Sequence, residues 1–390
     1  MRDTAALPLS EVLPLQNVVN GLAALPPFAY LEDKLSMHSR HILPSLAERF
    51  RIVLVTTDGQ IPDAPYADVI RHPGKRWELQ CAFQFACTTE RLYREGRIAF
   101  AYTYNCSGFA LRRVPYLHVF GGSFLKNWIE YKRITPWWRR PQLLSGFVHY
   151  VVPEAITAWR ARIAVAKVEE LKRDLVRYYG LPAADVPVIT NGVSRTYLDL
   201  FRSKASTAKP RIVFTGRLHM DKGILPFVQA FTRHSEIDAQ LLVVGDGPQR
   251  AAIEACAARD PRVALLGWRS SDEITTILST TQIFLFPGII GGYSCSLLEG
   301  MASGHACIAY DLPGNREALA DAGFFEPVAD PEAICRRIAE LCTNRALLHE
   351  YATRAHERAK GLTWDVFADR LSGVLFSMYE RLGIRTPTRG

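Results

Sequence analysis

Apolar residues along this chain come in short, nearly unbroken runs separated by longer amphipathic stretches. The runs at 51–57 (RIVLVTT), 98–104, 116–120 and 163–168 read as strands covered on both faces, because a strand with one wet face would alternate polar and apolar residues. Residues 29–31 fit a first strand of the same series. Between these runs, 37–50, 75–94 and 169–179 carry apolar residues at helical spacing. In the first of them Ile42, Leu43, Leu46 and Phe50 form the stripe, and Gly180 and Pro182 close the last. Residues 143–159 predict a further helix perturbed at Pro153. Residues 188–190 predict a short final strand entered through Pro187, where a proline is tolerated. Residues 7–24 are apolar with helical character.

The second half alternates more regularly. Strands are predicted at 212–214, 240–244, 263–266, 283–286 and 306–310. Helices are predicted at 224–232, at 248–259, at 272–280 behind a Ser270 or Ser271 cap, and at 295–302. A polar stretch at 201–210 (FRSKASTAKP) divides the halves. The expected organisation is therefore α/β, with two Rossmann-like parallel sheets at 1–200 and 211–363, a linker between them, and a closing amphipathic helix within 364–390.

Composition narrows the class. A chain of 390 residues, 48% hydrophobic, can build two ordinary cores. A mean hydropathy of −0.01 and the lack of an uninterrupted apolar run of about 20 residues argue against a multi-span membrane protein. Arg2 and Asp3 are not followed by a basic-then-apolar leader, and the eight cysteines form no CxxC pair. Both features fit a reducing, cytoplasmic setting without a structural zinc. Charge is uneven. Residues 1–209 hold 28 Lys+Arg against 18 Asp+Glu, or +10; residues 210–390 hold 19 against 21, or −2, and the sum is the overall +8. The basic half points either to an anionic partner or to ordinary surface charge, and no basic module interleaved with aromatics suggests nucleic acid.

Candidate chemistry centres on FPGIIGGYSCSLLEGMASG, residues 286–304. A strand ends at Phe286, a Gly-rich loop with Gly291 and Gly292 follows, and a helix opens at Cys295. Loop glycines let backbone approach a ligand, and the amides of Tyr293, Ser294 and Cys295 at a helix N-terminus form a site for phosphate. After the 212–214 strand, GRLHMDKG places Gly216, Arg217 and Lys222 at another strand end. Two cations there suit a diphosphate held against a helix end. They are also free to be surface ion-pair partners. Glu299, one turn inside the helix, either meets a ligand hydroxyl or steadies the helix N-terminus. Cys295 has no sequence-adjacent base that would make it a nucleophile.

Taken in order, GRL…KG, VVGDGP, LLGW and FPGIIGGYSCSLLEGMASG resemble glycosyltransferase family four. The resemblance covers most of 211–341 and, more weakly, 164–193 through TNGV. It implies a GT-B fold: an N-terminal acceptor domain, a C-terminal nucleotide-sugar domain and a last helix that crosses back to the first domain. It also implies retaining transfer from a nucleoside-diphosphate sugar, UDP- or GDP-linked, with no metal or other cofactor. Arg217 and Lys222 then stabilise the leaving diphosphate, Glu299 meets the ribose, and Trp268 of Gly267-Trp268-Arg269 lies near the base.

Two sugar-proximal side chains of the family are missing. Gly291 stands where its first glutamate would fall, and Gly121-Gly122 stands where a His-Gly pair is usual. Gly121, Gly122, Ser123 and His118 are the candidate acceptor residues. His118 lies on a strand face where core packing competes with that role, and His38 and His41 point either to the cleft or to solvent. The stretch from Phe124 to Arg140 mixes Trp and Phe with five cations. It suits either peripheral contact with anionic lipid at the inner face of a cell membrane or a solvated basic edge. The acceptor expected is a glycan, soluble or lipid-linked, of a bacterial surface polysaccharide. The competing reading is a scaffold that binds nucleotide-sugar or glycan without transferring it. An unrelated dinucleotide-dependent dehydrogenase is disfavoured, because no GxGxxG follows an early strand.

Overall fold

A computed structural model describes residues 25–73, 78–104, 107–134, 142–203, 209–290 and 293–386. The chain forms two compact units, one running to Ile189 and resumed from Phe367, the other spanning Thr190–Val366. Each unit is a six-stranded parallel sheet with helices between its strands, so the α/β class read from the alternation is what is found.

In the first unit the strands are β1 (Phe28–Leu31), β2 (Ile52–Thr56), β3 (Asp68–Arg71), β4 (Ala101–Tyr104), β5 (Tyr116–Phe120) and β6 (Ile163–Ala166), in the order β3-β2-β1-β4-β5-β6. Every residue of β1, β2, β5 and β6 is buried, as their unbroken apolar runs require. Aromatic side chains on neighbouring strands lie ring on ring: Tyr30 stacks on Tyr102 at 4.3 Å and Phe28 on Phe100 at 5.1 Å. The helix Met37–Arg49 starts at Ser36, whose hydroxyl accepts from the Ser39 amide. The last helix, Trp364–Arg381, brings Tyr379 against Phe100, and the Tyr379 hydroxyl donates to the Pro26 carbonyl at 2.7 Å.

Three sequence expectations are corrected here. The single helix expected over 143–159 is Gln142–Gly146, a π-helical turn at Phe147–Val151, and Val152–Arg160. Pro153 explains the break. It has no N–H, its ring crowds the carbonyl four residues back, and the Val152 amide reaches to Phe147 instead. The strand expected at 188–190 shrinks to one bridge between Val188 and Ala166. The division between units falls at Ile189, ahead of the polar 201–210 stretch, because Val193 already pairs with Thr363 of the second unit. Residues 204–208 and the apolar 7–24 lie outside the described residues. Strand β3 escaped the sequence reading because its DVIR is half exposed and offers no apolar run.

The second unit contains β7 (Arg211–Thr215), β8 (Gln240–Val244), β9 (Val263–Gly267), β10 (Ile283–Phe286), β11 (Ala306–Tyr310) and β12 (Phe324–Glu326), ordered β12-β11-β10-β7-β8-β9. This repeats the first unit's pattern, with the chain stepping outward one way and then returning to build the other. The reversal lies between β7 and β10, where open α/β sheets leave a crevice beyond their carboxyl ends. The Ser271–Ser279 helix carries a full capping box, with Ser270 and Glu273 bonded reciprocally. The helix Cys295–Ala302 presses on β10 so closely that a Cβ on Gly300 would meet the Phe284 ring at 2.4 Å.

That contact yields a stability test. Gly300→Ala is expected to cost about 2–3 kcal/mol by overpacking. Gly373→Ala, in the last helix with nothing within 4 Å of its would-be Cβ, should be neutral or stabilising. Thermal melts of both variants check this, and equal effects would reject the packing argument.

Candidate functional site

The site is built where the β7, β8, β9 and β10 loops meet at the carboxyl ends of their strands. The Gly216 amide donates to Val244 and the Leu218 amide to Asp246, while the Gly245 amide donates to Gly267. These bonds stack GRL, GDG and the end of β9 on one another. Side chains would break the stack. A Cβ on Gly245 would lie 1.8 Å from the Gly216 carbonyl, and one on Gly223, at φ +62°, 2.0 Å from the Pro287 carbonyl. The Asp221 carbonyl accepts from the Ile289 amide at 3.0 Å. Residues 221–223 therefore rest on the loop that leads into the Cys295 helix.

The charges converge through Asp221. Its carboxylate accepts from His219, lies 3.4 Å from the Lys222 ammonium and 3.9 Å from the Arg217 guanidinium. Burial alone would raise the Asp221 carboxyl, but the His219 bond and the adjacent Lys222 and Arg217 charges outweigh it and hold the group below its ordinary range. Lys222 is three-quarters covered, whereas the Arg217 side chain is 75% exposed and free to reach a ligand. Asp221 was missed by the sequence reading, although its place between the two cations in GRLHMDKG was the available signal.

The helix N-terminus is anchored from the TNGV segment, where the Asn191 side-chain amide donates to the Tyr293 carbonyl at 3.2 Å. The Ser294 hydroxyl bonds the Ser296 hydroxyl and makes no cap, so the first amides of the helix, at Cys295 and Ser296, are not consumed by it. Gly291 and Gly292 lie outside the described residues. Glu299 has no hydrogen bond or ion pair for its carboxylate among the described residues. Burial pushes its pKa up to about 7. Thr215 Oγ1 at the end of β7, Asn191 Oδ1 and Gln249 Oε1 are also buried in this unit without a hydrogen-bond partner among the described residues. Trp268 follows Gly267 with its indole 71% exposed, a flat apolar surface beside the stacked loops.

In the first unit the candidate acceptor residues fare differently. His118 is a core residue. Its Nδ1 bonds the Thr103 hydroxyl at 2.7 Å, its ring meets Phe120 edge-on, and burial drives its pKa down to about 3. The imidazole is enclosed, so of the two roles left open for His118, core packing and the cleft, its surroundings are those of core packing. Ser123 is buried and its hydroxyl accepts from the Lys126 amide, which makes it a helix cap. Beside it the Glu154 carboxylate accepts from the Phe124 and Leu125 amides. Gly121 and Gly122 are exposed at the end of β5. His38 is buried, stacked on Tyr104 and edge-on to Phe367.

In the stretch from Phe124 to Arg140, the helix Phe124–Ile134 is described and 135–140 are not. Lys126 is engaged by Glu170 and Asp174, so it is not part of a free basic edge. An apolar surface is nonetheless present nearby: the Phe124 ring lies tilted against Tyr150 at 5.3 Å, and both are exposed with Leu144, Val148 and Val152. Among the described residues no helix is long and apolar enough to cross a membrane, and no three His, Cys, Asp or Glu residues converge as a metal cluster.

Residues 209–344 match the family model for glycosyl transferases group 1. The chain is 30% identical over 243 residues to a 2-deoxystreptamine glucosyltransferase of Streptomyces kanamyceticus, covering 60% of this chain and 54% of that protein. It is 26% identical over 226 residues to a lipopolysaccharide 1,2-N-acetylglucosaminetransferase of Salmonella typhimurium, covering 52% and 59%. These alignments span little more than half the length of the relatives. Among solved structures, sucrose-phosphate synthase from Thermosynechococcus elongatus superposes with a TM-score of 0.72 at 17% identity, over 92% of this chain and 100% of that one. Anabaena HepE in complex with UDP-glucose superposes at 0.69 and 14% identity, over 90% and 100%.

Glu299 gives a pH test. Its carboxyl holds a proton to about pH 7 in the folded protein but only to about 4.5 when unfolded. The folded state therefore binds more protons between these values, and stability falls as pH rises through that window. Glu299→Gln should raise the melting temperature of the ligand-free protein at pH 8, with little effect at pH 4.5. A gain of equal size at both values would show that the carboxylate is not the strained group.

Proposed function

We propose that this chain, a divergent group 1 glycosyl transferase by its 209–344 segment and of GT-B fold throughout, moves a sugar from a nucleoside-diphosphate sugar to a glycan acceptor. The observation that carries the reading is that Arg217 and Lys222 gather on the Asp221 carboxylate, while the Asp221 backbone is bonded to the loop leading to the Cys295 helix, at the reversal of the second sheet. A diphosphate placed there would meet two cations and the N-terminal end of the Cys295 helix. Electrostatic stabilisation of a departing anion is commonly the largest catalytic contribution, and these groups would supply it.

In this reading Arg217 and Lys222 are the catalytic residues. The bond between the sugar's anomeric carbon and the β-phosphate oxygen breaks with its electron pair on the diphosphate. A new bond forms from the acceptor hydroxyl to that carbon. The hydroxyl proton passes to the leaving diphosphate oxygen, and the configuration is retained, as the family resemblance implies. Gly216 and the Gly291-Gly292 loop admit the phosphates, the Tyr293–Cys295 amides hold them, Glu299 accepts from the ribose hydroxyls, and Trp268 offers a face to the base, uracil or guanine. Gly121, Gly122 and Ser123 border the acceptor. The glucosyltransferase and lipopolysaccharide transferase relatives, and the UDP-glucose complex of HepE, support a nucleotide-sugar donor and a glycan acceptor. A lipid-linked acceptor of surface polysaccharide assembly, met at the inner face of a membrane, is the specific form we favour. The exposed Phe124, Leu144, Val148, Tyr150 and Val152 surface, with the exposed Lys132, would rest on the lipid.

Two measurements test this. Thermal unfolding against UDP, GDP, ADP and CMP with their sugar conjugates should show one nucleotide raising the melt and its sugar conjugate shifting it differently. A ligand at about a hundred times its dissociation constant adds about 2.7 kcal/mol. Lys222→Ala should weaken that nucleoside diphosphate by about 10- to 100-fold, the scale of a lost charge-assisted bond. Glu299→Gln should weaken it more than it weakens inorganic diphosphate. No shift with any nucleotide would favour a non-transferring scaffold, in keeping with the glycines at 121 and 291. For the membrane, binding to anionic vesicles should fall as salt is added. Salt-independent or absent binding removes that part.

A further inference from the structure

Lys167 is the residue of the first unit that the donor chemistry leaves unexplained. It stands directly after β6, at the carboxyl edge of the sheet, and is 6% exposed. Its ammonium donates to the Tyr104 hydroxyl at 3.1 Å and lies 4.9 Å from the centre of that ring. Among the described residues no carboxylate comes within 4.0 Å of it. Glu32, whose field reaches Lys167, is itself occupied: its oxygens accept from the Ser39 hydroxyl and the Ser36 amide. A buried cation with three donors, one partner and no counter-ion in contact is costly unless something else completes it.

The surroundings leave room for that partner. Tyr104 ends β4 and Gly121 follows β5, so both share the carboxyl edge with Lys167. At Gly121 a side chain would begin 3.3 Å from the Tyr104 hydroxyl, and at Gly122 nothing lies within 4 Å. The two glycines therefore keep open the ground in front of the Lys167–Tyr104 pair.

We propose that Lys167, held by Tyr104 beside Gly121, is the anion-binding subsite for the acceptor, which carries a phosphate or carboxylate group. The ammonium would take the oxyanion, and the Tyr104 hydroxyl, whose lone pairs accept from Lys167, would donate its own proton to the same group. The role as acceptor site rests on the glycosyl-transfer reading; the anion site itself does not.

The test uses the full chain with Arg217→Ala and Lys222→Ala together, which removes the donor cations. Glucose 6-phosphate, inorganic phosphate and neutral glucose are titrated at constant ionic strength, by calorimetry and thermal melts. Glucose 6-phosphate should bind and glucose should not. Adding Lys167→Met should weaken the sugar phosphate at least tenfold, Tyr104→Phe should weaken it less, and Lys167→Arg should restore it. In the otherwise unaltered chain without ligand, Lys167→Met should raise the melting temperature, because it deletes an uncompensated charge and keeps the stem. Sugar-phosphate binding unchanged by Lys167→Met overturns the site. So does a lowered ligand-free melt, which would make Lys167 a structural counter-charge to Glu32. Inorganic phosphate binding as tightly as the sugar phosphate would overturn the acceptor role in favour of a free anion. UDP and GDP titrated into the Lys167→Met chain report separately on the donor reading, since loss there requires Lys222 and not Lys167.

Discussion

Backbone touching backbone at the carboxyl ends of the strands is the constraint on which the second unit depends. The Pro287 carbonyl occupies the place where a side chain at residue 223 would start, and the Gly216 carbonyl does the same at residue 245. Sheet order brings these loops together, since β7 lies between β8 and β10. Glycine alone lets them close. Once they have closed, Lys222 and Arg217 have little choice of neighbourhood: the loop that carries them is bonded to the one that opens the Cys295 helix. Where these cations sit follows from how near two main chains can come.

Both units set cations at the carboxyl edge of a parallel sheet, but they do so under different electrostatic terms. Lys222 and Arg217 share the Asp221 carboxylate, which gathers them and moderates their charge. In the proposed reading a diphosphate would compete with that carboxylate but would find its partners already gathered. Among the described residues Lys167 has only a tyrosine hydroxyl and its ring in contact with the ammonium, and on our proposal its charge awaits a ligand. Glu299 is the mirror case, a carboxyl that burial holds toward its protonated form and that has no ion-pair partner among the described residues; a pair of ligand hydroxyls would lower the cost of its ionisation. Sites that store such unpaired charge trade stability for affinity.

The first unit shows how a departure from a family pattern is absorbed. Where a histidine would be expected after β5, the chain has Gly121, and the histidine it does carry nearby, His118, faces the core and bonds Thr103. The Phe124 helix that follows opens onto the Glu154 carboxylate, so its N-terminus is spent on protein rather than on substrate. Each helix N-terminus thus has a use set by what packs against it.

Residue order alone was enough for much of this. Unbroken apolar runs mark parallel strands whatever their order in the sheet, because burial on both faces leaves no other composition. The close backbone approach at 216–223 was legible because glycines at strand ends mark places where main chain meets main chain, as Gly223 does at the Pro287 carbonyl. What could not be read was anything set by distance between segments remote in sequence. The Asp221 bridge lay in plain view between two cations yet meant nothing until the loop folded back on itself. Glu154 is thirty residues from the helix it caps, and Lys167 is sixty-three from Tyr104. The half-exposed β3 and the π-turn before Pro153 were hidden for a related reason, since one is stabilised by its neighbour strand and the other by a displaced hydrogen bond. Local sequence specifies which segments are apolar and where backbone must be free; which charges end up paired, and which are left waiting, depends on strand order and on the packing that brings distant side chains into contact.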